Sequence, residues 1–62
     1  MTDKRKLEII NCLLEVYENW NEDHEMTMFD LISGYNQNYP NPELIGGDWV
    51  IANVPELAGL PA

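Results

Sequence analysis

This chain has almost no cysteine and, beyond its sixth residue, no positive charge. Cys12 is the only cysteine, so no disulfide can form within the chain, as suits a reducing compartment. Long apolar runs are missing too. Glu8, Asn11, Glu15 and Glu18 interrupt the early apolar stretch before it could span a membrane. Lys4-Arg5-Lys6 leads into charged residues and not into the uninterrupted apolar core of an export signal. A cytoplasmic protein is expected.

The shortage of cations excludes more. All three basic side chains lie at positions 4 to 6, and the formal net charge is −8. The 56 residues after Lys6 hold ten of the eleven acids and no Lys or Arg, a charge of −10. Phosphate backbones and anionic membranes repel such a body, so neither direct nucleic-acid binding nor membrane binding is expected. A basic protein surface attracts it. The same charge also simply keeps a small protein soluble.

At 62 residues the chain makes one small domain, residues 1–62. A chain this short buries only about 60% of the surface its unfolded form exposes, so it is marginally stable. The pattern predicts a mainly α fold. A long amphipathic helix is expected from about Asp3 to Trp20, with Thr2 or Asp3 as its N-cap. Leu7, Ile9, Ile10, Leu13, Leu14, Val16, Tyr17 and Trp20 fill an arc about 180° wide, and Glu8, Asn11, Glu15, Glu18 and Glu22 lie opposite. Its charges run against the helix dipole, with cations in the first turn and anions in the last. Lys4–Glu8 is an i,i+4 pair in the weaker order. Such a mismatch marks either a surface kept for a partner or a tolerated accident.

Residues 21 to 25 read as a solvated acidic turn. A second short helix opens at Thr27, which forms a short-armed capping box with Asp30, while Met26 and Leu31 close a hydrophobic staple. Gly34 is a candidate stop unless the helix runs on towards Pro40. Asn36 to Gly47 reads as loop, in which Asn41-Pro42 could cap a single turn. Residues 48 to 54 have the β-branched and aromatic content of one strand, with Tyr35 to Tyr39 as a weak neighbour, yet also suit irregular chain or a helix capped by Asp48. Residues 55–62 are expected as an extended C-terminal tail lying across the core.

Catalytic chemistry is not marked. Cys12 sits at the edge of the apolar arc among acids, where burial and negative neighbours raise a thiol pKa and make it inert. His24 with Glu22, Asp23 or Glu25 lacks the second histidine of a zinc-protease helix and the spacing of a calcium loop. Gly46-Gly47 has no lysine beside it and no phosphate-cradle spacing. No catalytic residue, metal ligand or cofactor site is expected, and the chain is not read as an enzyme. A helix, a turn and a second helix from Thr27 loosely resemble the start of a helix-turn-helix domain. The groove-reading third helix would need cations in residues 36 to 47, which have none.

What remains is an interaction module. Glu8, Glu15 and Glu22 recur every seven residues, about 10.5 Å apart along a helix, with Glu18 between them. These four acids, with Trp20 and Trp49 as apolar anchors, form the expected surface for a basic protein partner, whose own function the chain would inhibit or regulate. An ordinary solvated helix face would look the same. The alternative is a homodimer, because six large rings and a wide apolar arc exceed what so small a fold covers. Short acidic chains of this kind are frequent among accessory proteins of phages and other mobile elements, an association of size and composition only.

Overall fold

The computed structural model describes residues 2–20 and 25–61. Three α-helices follow one another: α1, Asp3–Trp20; α2, Met28–Asn38; and α3, Gly47–Asn53, with a 3-10 turn at Pro55–Leu57. The fold is thus mainly α, and no strand forms among the described residues.

The first helix has the expected bounds. Thr2 is its cap: the Thr2 hydroxyl accepts from the Arg5 backbone N–H at 3.1 Å, and its carbonyl accepts from Lys6 at 3.0 Å. Ile9, Leu13 and Val16 are buried, while Ile10, Leu14 and Tyr17 pack half-buried at the margin. Leu7, at one edge of the apolar arc, and Trp20, at the last residue of the helix, remain exposed.

The second helix is capped as its sequence predicts. Thr27 accepts from the Asp30 N–H, and the Asp30 carboxylate accepts from the Thr27 N–H at 3.2 Å. Met26 and Leu31, the two halves of the staple, are both buried in the core. The Met28 N–H, orphaned at a helix start, donates to the Pro61 carbonyl at 2.6 Å, so the tail completes the cap. Gly34 does not stop this helix, which runs on to Asn38; the loop expected from Asn36 begins only at Tyr39. The Asn38 side chain donates back to the Gly34 carbonyl at 2.8 Å, adding a side-chain bond to the last turn.

Gly34 serves packing. A Cβ there would lie 2.7 Å from Val16 Cγ1, so the absent side chain lets α2 close on α1. Tyr35 and Tyr39 do not pair as strand. They are a helical i,i+4 pair, stacked with ring centroids 5.6 Å apart. Asn41-Pro42 caps no turn; Asn41 instead takes φ 53°, the left-handed region that asparagine tolerates better than most residues.

Residues 48 to 53 lie in a helix, with Val54 as its C-cap. A lone strand would leave its backbone groups without partners, whereas α3 satisfies them internally. Val50 and Val54, four apart, both reach the core, with Trp49 packed half-buried against it. The cap is Gly46, not Asp48, and it offers no side-chain bond. The tail is only partly extended. Pro55 is preset for helical φ and starts the 3-10 turn, which buries Leu57 before the chain crosses to Met28.

The accessible surface is 4286 Å², against roughly 4,100 Å² expected for a folded monomer of this mass. The domain therefore closes its own core. Gly34→Ala is expected to lower stability by about 1 kcal/mol, because overpacking at roughly 1–3 kcal/mol outweighs the roughly 1 kcal/mol alanine adds inside a helix. In a Val16→Ala background the obstructing methyl is gone, and the same change turns neutral or stabilising. Urea unfolding of the four proteins checks this; a wild-type chain made more stable by Gly34→Ala would refute it.

Candidate protein-interaction surface

The cations at the start of α1 are not equivalent. Lys4 is exposed, but Arg5 reaches across to the end of α2 and the loop after it. Its Nη1 donates to the Tyr39 hydroxyl at 2.8 Å and its Nη2 to the Asn41 carbonyl at 2.7 Å. Its Nε lies 3.5 Å from the Glu43 carboxylate, and its guanidinium sits 4.9 Å from the Tyr39 ring centroid. Tyr39 in turn donates to Glu8 at 3.0 Å, which is also 3.8 Å from Arg5. The i,i+3 pair Arg5–Glu8 thus takes the place expected for Lys4–Glu8. The planar fork of arginine supplies the donors this clamp needs, and the unfavourable placement of Arg5 on the dipole is repaid by tertiary contact.

This clamp changes the expected acidic array. Glu8 is exposed but bound within the chain, so it is a structural group first. Glu15 and Glu18 are exposed on α1. Glu22, His24 and the rest of residues 21 to 24 lie outside the described residues. All other described carboxylates are exposed, none is buried, and they occur on every element. The negative charge is therefore a property of the whole surface.

The rings divide in the same way. Trp49 lies half-buried against the core, while Trp20 is 58% exposed. Trp20 shares the face of Ile9, Leu13 and Val16 but stands at its end. There it borders a cleft of about 230 Å³ with Cys12, Glu15, Val16, Asn19 and Asn38. Asn19 and Asn38 were not among the expected site residues, because an asparagine near a helix end carries no signal beyond capping. Cys12 has its thiol pKa raised, first by burial and then by the nearby Glu15 carboxylate.

The third helix, Gly47–Asn53, follows the segment where a groove-reading helix would be expected and contains no basic residue. Among the described residues no group of His, Cys, Asp and Glu is placed to hold a metal ion. No helix among them is long and apolar enough to cross a membrane. Comparison with protein-family models, with curated proteins and with solved structures found no match to this chain.

Two titrations follow from this geometry. Glu15→Gln is expected to move the alkylation profile of Cys12 to lower pH while leaving it above the ordinary thiol range, since burial persists; iodoacetamide rates against pH measure this. Tyr39 has its pKa raised by desolvation first and then by its bond to Glu8, and Tyr35 is raised chiefly by burial. Groups raised in the folded state stabilise it below their unfolded pKa, near 10 for tyrosine, and lose that contribution as pH rises through the folded value. Stability is therefore expected to fall above about pH 10, less steeply in Tyr39→Phe, as thermal melts across that range would show.

Proposed function

We propose that this protein is a small acidic interaction module that binds a basic protein partner and thereby inhibits or regulates it. The observation that carries this reading is Trp20, open to solvent beside the Glu15 carboxylate on a helix that bears no cation after its first turns. Exposing a tryptophan forfeits the stabilisation its burial would give so marginal a fold, and tryptophan is the residue most enriched where binding energy concentrates. The surrounding acids steer a basic surface into contact, while the indole and the cleft provide short-range grip. Of the five expected surface residues that the structure describes, Glu15, Glu18 and Trp20 have the accessibility and freedom from internal contacts that this role requires. Glu8 contributes its field while held by Tyr39, and Trp49 contributes mainly to the core.

The test is capture from nuclease-treated lysate at low and high salt, with the bound proteins identified. Basic proteins should dominate at low salt and fall several-fold at high salt, as screening of exposed charges requires. A variant carrying Glu15→Gln, Glu18→Gln and Trp20→Ala should lose them. Equal capture by that variant, or bound proteins with no bias in charge, would remove the proposal.

A further inference from the structure

The first helix carries a second apolar stripe beside the one that fills the core. Leu7, Ile10, Leu14 and Tyr17 follow at intervals of three, four and three, the spacing of the a and d positions of a heptad. They occupy an arc of about 80°, centred about 110° from that of Ile9, Leu13 and Val16. Leu7 is 60% exposed; the other three pack one side on the core and leave part of the other open.

Along one edge of this stripe run Lys4, Asn11 and Glu18, seven residues apart and all exposed. In heptad terms they are the three e positions, ordered basic, neutral and acidic. Among the described residues, none of their side chains has a hydrogen-bond or ion-pair partner.

We infer that this stripe docks on a second copy of the chain, α1 against α1 and antiparallel. A twofold axis level with Cys12 stacks Leu7 on Tyr17 of the partner subunit and Ile10 on Leu14 of the partner subunit. In antiparallel pairs e positions face e positions. The same axis therefore brings Lys4 beside Glu18 of the partner subunit, and Asn11 beside its own copy, each about 3 Å off level along the helix. Parallel pairing would gather basic ends with basic and acidic ends with acidic. The antiparallel order also explains why the charges of α1 oppose its own dipole: the cations of one helix meet the anionic end of the other.

The dimer is transient. Each copy already closes a core, each carries a charge of −8, and a seam of one helix falls below the roughly 1,200 Å² of a standard interface. Glu8 and Glu15 point more than about 100° away from the seam, so both acidic faces stay open. Glu18 is the one residue this seam shares with the surface proposed for a basic partner.

Cross-linking tests the register. In a Cys12→Ala background, Asn11→Cys places a thiol at the edge of the seam and Asn19→Cys places one about 160° from its centre, and both proteins are treated with a short bis-maleimide at equal concentration. Dimer should form several-fold faster through position 11. Adding Lys4→Glu should slow it, and adding Glu18→Lys to that protein should restore it. Glu15→Lys makes the same change in net charge away from the seam and should not restore it. Equal rates at positions 11 and 19, or equal rescue by Glu18→Lys and Glu15→Lys, would overturn the inference. Circular dichroism confirms that each variant remains folded.

Discussion

The bare backbone of Gly34 lets α2 close on α1 until only a methyl of Val16 stands between them, and the remaining elements are arranged around that approach. With the two long helices so close, a core of ten buried side chains suffices for a domain only 16 Å across its shortest dimension. The third helix and the 3-10 turn then cover the open side with Val50, Val54 and Leu57. The tail closes the circuit through the Met28–Pro61 hydrogen bond. A larger residue at position 34 would push α2 outward and shift both the clamp at its C-terminal end and the cleft that Asn38 helps to line.

Positive charge is the scarce material of this molecule, and its one internal use is informative. Arg5 spends its fork on Tyr39, Asn41 and Glu43, tying the first turn of α1 to the irregular loop before α3. The Tyr35 hydroxyl, which donates to the Glu43 carbonyl at 3.2 Å, and Ile45, half-buried against the core, also order that loop. Lys4 and Lys6 are left as the only other cations in the chain. The surface field is consequently negative nearly everywhere, which favours encounter with basic proteins and opposes close approach of phosphate or of like copies.

Three sectors of α1 thus have three different fates. One fills the core and ends in the exposed Trp20, one carries the anionic face, and one presents the leftover apolar stripe. A helix so used is economical in a 62-residue chain, where no other element is long enough to offer more than one face. Binding a basic partner and pairing with a second copy use largely separate sectors and share only Glu18.

Much of this was legible from residue order alone. Spacing of apolar positions set the bounds of α1, and the Thr27–Asp30 capping box with its Met26–Leu31 staple marked the start of α2, because both signals are local and act within about two turns of chain. The reach of α2 past Gly34 was not legible. A glycine that ends a helix and one that admits a neighbouring helix look the same until the neighbour is in place. The same holds for residues 48 to 54, whose β-branched content suits a strand, but which had no strand to pair with and so wound up as a helix with Val50 and Val54 on its inner face. The charge count and the confinement of the cations to positions 4 to 6 belonged to the sequence. Which acid is bound inside the molecule, which tryptophan is covered and which cation becomes a clamp were settled only by tertiary structure, because each depends on contacts between residues more than 30 positions apart or on exposure that no local pattern encodes.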